Sequence, residues 1–116
     1  DVCSSDLLPY KNFCDKGGRF GPHNMNQLQY NPYVEKQGNL AYLTWFNAGV
    51  RVYDIKDQFR PKEIAYYVPP APTKMIDPRP NRPQVIQSCD CYVDKNGLMY
   101  VTDPNAGLNI LQYEGI

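Results

Sequence analysis

The stretch Leu40-Ala41-Tyr42-Leu43-Thr44-Trp45-Phe46-Asn47-Ala48-Gly49-Val50-Arg51-Val52 returns 58 residues later, without a gap, as Leu98-Met99-Tyr100-Val101-Thr102-Asp103-Pro104-Asn105-Ala106-Gly107-Leu108-Asn109-Ile110. Of the 13 paired positions six are identical, and three more exchange one aliphatic side chain for another. Chance can supply an Asn-Ala-Gly triplet twice, but it seldom sets both inside matching apolar frames. Each copy reads as strand, turn, strand. Aliphatic and aromatic side chains suit a pleated surface, and glycine takes a left-handed turn position at no steric cost. The offset exceeds the roughly 40 to 50 residues of a propeller blade, and much of the excess is a Pro-rich stretch between the copies.

Outward from the first copy, Val50 to Ile55 alternates apolar and polar, Lys56 to Lys62 is a polar turn with Pro61, and Glu63 to Val68 is a third predicted strand. Residues 69–83 hold six prolines in 15 positions, which predicts an extended loop and no helix. Gln84 to Val93 is the next predicted strand. Asp94-Lys95-Asn96-Gly97 predicts a hairpin in which Asn-Gly supplies positive φ angles. Leu98 to Thr102 and Leu108 to Tyr113 complete the strands.

Residues 1–37 carry Gly17-Gly18, Gly21-Pro22 and Asn31-Pro32 breaks with little periodicity. The predicted organisation is thus a loop-rich N-terminal segment over 1–37 and propeller blades over 38–116. The predicted fold class is all-β, about two blades of a β-propeller that belong to a larger ring. A blade cannot bury both of its faces alone, and rings usually need at least four blades. Two blades leave apolar faces that need cover from missing sequence, a companion chain or the other piece of a nicked protein. A small β-sandwich of six or seven strands is the competing architecture.

Composition sets further bounds. Twelve Lys plus Arg balance twelve Asp plus Glu over 116 residues, so net charge gives no electrostatic reason to expect nucleic acid or an anionic membrane as partner. No run approaches the roughly 18 apolar residues of a membrane helix. The chain starts at Asp1 with neither a methionine nor a signal-peptide pattern, which reads as a processed, truncated or incompletely known sequence. The even set Cys3, Cys14, Cys89 and Cys91 is compatible with disulfides in an oxidising compartment. Cys3 and Cys14 are spaced to close a small loop. Cys89 and Cys91 share one strand face but diverge along it, which suits pairing elsewhere or free thiols. A metal reading of the Cys-x-Cys pair supplies only two ligands.

Gly49-Val50-Arg51-Val52-Tyr53-Asp54-Ile55-Lys56-Asp57-Gln58-Phe59-Arg60-Pro61-Lys62-Glu63-Ile64-Ala65-Tyr66-Tyr67 resembles the LVIVD-repeat proteins, whose blades carry a glycine, an apolar strand ending in Asp, a short turn with proline and another apolar strand. Gly97 to Asp103 with Gly107 to Tyr113 resembles the closing, C-terminal blade of such proteins. Gly18-Arg19-Phe20-Gly21-Pro22-His23-Asn24 is similar to a segment of one bacterial branch. The resemblance spans roughly residues 17 to 115. It implies a β-propeller, often exported and mostly without assigned chemistry. Selenium-binding and methanethiol-oxidase propellers are distant analogues with histidine-bound metal, by analogy of fold alone. Cys89-Asp90-Cys91 departs from the family pattern.

His23 is the only histidine. It reads either as a metal ligand or general base near a propeller axis, or as a histidine bonded to a neighbouring loop. Asn24 beside it would hold a ligand or cap the turn. Alternation sets Asp90 on the face opposite the cysteines, as an acid or metal ligand in a channel or as a partner of backbone amides. Asp54 and Asp103 read as turn residues. Arg19, Arg51, Arg79 and Arg82 are scattered. Arg19 is a candidate carboxylate or phosphate clamp, with surface salt bridges as the plainer assignment. No Gly-rich phosphate loop, Gly-x-Ser-x-Gly, His-Glu-x-x-His or zinc-finger spacing is present.

The expected function is an exported binding or interaction scaffold, periplasmic, secreted or at the cell surface. Its partners would be the remaining blades or a companion chain, with a small-molecule ligand on the displayed loops. The alternative is a metal-dependent propeller enzyme whose axial site joins His23, and Asp90 with it, to residues of absent blades around a divalent metal ion. A purely structural subunit is the third reading.

Overall fold

A computed structural model describes residues 13–27, 31–36 and 38–115. Two antiparallel three-stranded sheets account for the strands among them. Sheet 1 is β1 (Leu40–Thr44), β2 (Val50–Asp54) and β3 (Lys62–Tyr67), and sheet 2 is β4 (Asp90–Val93), β5 (Leu98–Asp103) and β6 (Gly107–Gln112). A 3₁₀ turn at Phe13–Lys16 is the one helical element among the described residues. No helix there is long and apolar enough to cross a membrane. The chain is all-β.

The two matched stretches form the same hairpin. Leu40 faces Asp54 and Thr44 faces Val50 across β1 and β2, while Leu98 faces Gln112 and Thr102 faces Leu108 across β5 and β6. Gly49 turns the first hairpin at φ 77°, and a Cβ placed there would lie 2.1 Å from the Tyr67 carbonyl oxygen of β3. Only a residue without a side chain lets β3 approach so closely.

Alternation then assigns the faces. Tyr42, Val50 and Val52 of sheet 1 pack against Val93, Met99 and Val101 of sheet 2. On the other side of sheet 1, Ala41, Trp45 and Tyr53 pack on Phe13, with Phe20 and Leu43 beside them. Sheet 1 is therefore covered on both faces. Sheet 2 is covered on one. Its outer face carries Tyr92, Leu98, Tyr100, Leu108 and Ile110, with Leu108 56% and Ile110 58% exposed.

Two local expectations change. The Gln84–Val93 strand shortens to Asp90–Val93. Val85 N–H bonds back to the Pro83 carbonyl at 2.9 Å, a local turn bond in place of a ladder bond. In the β4–β5 turn, Gly97 has φ 85° but Asn96 is not left-handed. The loop has three residues, with Asn96 N–H and Leu98 N–H donating to the Asp94 carboxylate at 2.8 and 3.0 Å. Asp94 thus holds a turn that needs one positive φ, at its last position. Arg51, one of the scattered arginines of the sequence, is buried, its side chain 0% exposed.

Burial also marks two phenols. Tyr42 and Tyr53 are held protonated up to about 12, first by burial and then by the Glu35 and Glu63 carboxylates respectively. A phenol whose folded pKa lies above its unfolded value contributes stability that is whole below the unfolded pKa. That stability is lost as pH rises through the folded one, a window here of about 10 to 12. Melting temperature is expected to fall across this window, and Tyr42→Phe with Tyr53→Phe is expected to flatten the fall.

Candidate functional site

Residues 23–26 run along the free edge of β1. His23 N–H donates to the Thr44 carbonyl (2.9 Å), Thr44 N–H to the Asn24 carbonyl (2.9 Å) and Asn26 N–H to the Tyr42 carbonyl (3.1 Å), around a Met25–Leu43 bridge. Sheet 2 has the same arrangement. Cys89 N–H donates to the Thr102 carbonyl at 2.8 Å and Asp90 pairs with Thr102. His23 and Cys89 hold corresponding places in the two sheets, as do Asn24 and Asp90.

These corresponding residues meet at the seam. The Cys89 carbonyl accepts a hydrogen bond from His23 Nδ1 at 2.8 Å, and the Cys89 sulfur lies 3.5 Å from the same nitrogen. Accepting by a carbonyl requires the proton on Nδ1, which leaves Nε2 as the open lone pair of the neutral ring. The Asn24 side-chain amide donates to the Asp90 carboxylate. Buried Thr44 ties both strands, its hydroxyl 2.6 Å from the Cys89 carbonyl and accepting from Asn24 N–H at 3.1 Å. His23 also packs on Phe46, ring centroids 4.6 Å apart. Phe46, at φ 50°, bridges both Phe20 and Ser88.

The structure thus gathers His23, Asn24 and Asp90 in one place, as a hydrogen-bonded seam. Asp90 and Asn24 line a cleft of about 440 Å³ that runs to Tyr92 and Tyr100. Arg19 lies elsewhere, in a second cleft of about 380 Å³ that shares Cys89 with the seam. Its guanidinium sits 5.5 Å from the centre of the Phe46 ring.

No group of three or more His, Cys, Asp or Glu side chains among the described residues is placed to hold an ion. Cys89 and Cys91 are free thiols. Burial, then the Asp90 charge, pushes the Cys89 thiol up, and burial pushes Cys91 to about 11. Both sulfurs therefore stay protonated at neutral pH, and each would have to release its proton to bind an ion. Cys91 instead sits 3.5 Å from the Tyr42 carbonyl, between the sheets. Cys14 is disulfide-bonded, and Cys3 lies outside the described residues.

The turn assignments hold in their geometry. Asp54 accepts from Lys56 N–H at 2.9 Å. Asp103, 4% exposed, takes the Asn105, Ala106 and Gln87 amides at 2.8, 3.0 and 2.6 Å. Sequence reasoning missed Gln87, Arg79 and Arg82 as neighbours of Arg19, because loop contacts across 60 or more positions leave no local pattern. No family model matches the chain, and neither a curated protein nor a solved structure aligns with it significantly.

Proposed function

We propose that the chain forms two adjoining blades of an exported LVIVD-like β-propeller and works as a binding scaffold, with a further blade seated on the outer face of sheet 2. One observation carries the reading. Tyr42, Val50 and Val52, which sheet 1 buries against sheet 2, are 5, 2 and 4% exposed. Their counterparts 58 positions on are Tyr100, Leu108 and Ile110, which stand on the uncovered face of sheet 2. The surface that the first sheet offers the second, the second offers outward again. A third sheet with an aliphatic face like Val93, Met99 and Val101 is the occupant whose shape matches. It would come from further blades of the same protein or from a companion chain. Burial of each large aliphatic side chain there is worth about 1.5 to 3 kcal/mol. The disulfide of Cys14 suits an oxidising compartment and supports export. A metal-dependent enzyme would need donors that the described residues do not supply.

The 116-residue chain alone is expected to self-associate and to bind an apolar fluorescent dye. Leu108→Lys with Ile110→Lys is expected to abolish both, with a stability change within about 0.5 kcal/mol because both side chains are exposed. A chain that sediments as a monomer and leaves the dye dark at high concentration overturns the reading.

A further inference from the structure

The cleft beside Arg19 is lined by loop residues of this chain and by Cys89 of the seam. One wall is the Gly18–Arg19 turn. Gly18 has φ 75°, and a Cβ there would lie 2.8 Å from both the Gln87 side-chain nitrogen and a Val85 methyl. The turn is seated too tightly for a side chain. Gln87 then holds Arg19 by both backbone groups, its amide oxygen accepting from Arg19 N–H at 2.7 Å and its nitrogen donating to the Arg19 carbonyl at 3.2 Å. Asn47 N–H adds a second bond to that carbonyl at 3.1 Å. Gln87 is itself anchored on buried Asp103.

The opposite wall comes from the Pro-rich segment. Arg79 grips Asp77 with contacts of 2.9, 2.9 and 2.5 Å, so these two charges offset each other. Arg82 lines the same cleft. Two guanidinium charges, those of Arg19 and Arg82, remain without a carboxylate within salt-bridge distance among the described residues. In a chain whose formal charge is zero, such a local excess of cations is a placed feature.

We infer that this cleft is a binding site for a small oxyanion, a carboxylate or a phosphate, clamped between the guanidinium groups of Arg19 and Arg82. A guanidinium presents a planar fork of N–H donors that matches two oxygens of either group. Arg19 is preorganised, because its backbone is fixed on both sides and its side chain lies against Phe46, so little rotamer freedom is lost on binding. Arg79 with Asp77 forms a neutral flank. The volume of about 380 Å³ admits a small molecule and not a peptide fold.

Calorimetric titration of the full chain at low ionic strength, once with inorganic phosphate and once with succinate, tests this. Saturable 1:1 binding is expected for at least one probe, with affinity falling as salt rises. Saturation by phosphate alone assigns a phosphate ligand, and by succinate alone a carboxylate. Arg19→Gln and Arg82→Gln are each expected to weaken binding by roughly tenfold. Arg60→Gln, on the exposed β2–β3 turn and outside the cleft, is expected to leave it unchanged. Absence of saturation for both probes up to about 10 mM overturns the inference, as does an Arg60→Gln loss equal to that of Arg19→Gln.

Discussion

Gly49→Ala is expected to destabilise the chain by about 3 kcal/mol or more, whereas Gly107→Ala at the matching turn is expected to cost only about 1 to 2 kcal/mol. Both glycines have positive φ, 77° and 98°, so both substitutions carry backbone strain. They differ in what the new methyl group meets. At Gly49 it meets the β3 backbone, with Tyr67 O at 2.1 Å and Val68 Cα at 3.0 Å. Backbone inside a sheet cannot move aside without breaking the ladder between β2 and β3. At Gly107 the nearest atom is the tip of the Ile76 side chain at 3.2 Å, which can turn away. Urea unfolding of the two variants measures the difference. Equal losses would mean that β3 does not press on the first turn.

The second large effect is at Arg51. Its side chain lies between the Phe13 and Tyr66 rings, 5.4 and 4.9 Å from their centres. It donates to the Ala48 carbonyl at 3.1 Å and pairs with Glu63 at 3.5 Å. Burial pushes the Glu63 carboxyl up, and the Arg51 charge opposes that rise. Arg51→Ala therefore removes packing from both rings and leaves a poorly solvated carboxylate, at an expected cost of about 3 to 5 kcal/mol. Arg51→Met keeps the packing and is expected to lose less when Glu63→Gln accompanies it. Denaturant midpoints for the set give the coupling. A loss under about 1 kcal/mol for Arg51→Ala would show the pair to be a surface contact in solution.

Much of the fold was legible because β1 and β5 are β-prone apolar runs that each lead through an Asn-Ala-Gly turn into a second strand, β2 or β6. The 13-residue match marked both hairpins, and the structure adds that the two share one register. Arg51 was given no place by the sequence, because an arginine inside an alternating strand carries no sign that a second layer covers it. That layer is Phe13, more than 35 positions away. The site was legible in part. His23, Asn24 and Asp90 stood out as polar residues among strands and do come together. Their meeting depends on the pairing of residues 23–26 with β1, and His23-Asn24-Met25-Asn26 shares no residue with Cys89-Asp90-Cys91-Tyr92. Contacts of that kind are made by the tertiary path of the chain and leave no periodic trace. The tight seating of Gly18 on Gln87 is another such case.

That lack of shared residues follows from the seam itself. Where two like-shaped units touch through the same position of each, perfect copying would set every side chain against its twin. Two aspartates so placed would repel, whereas an amide beside an aspartate bonds to it, as Asn24 does to Asp90. The two hairpins can thus share a sequence pattern, while the seam between the sheets is held by complementary residues. The difference between these two four-residue stretches is what lets them bond to each other.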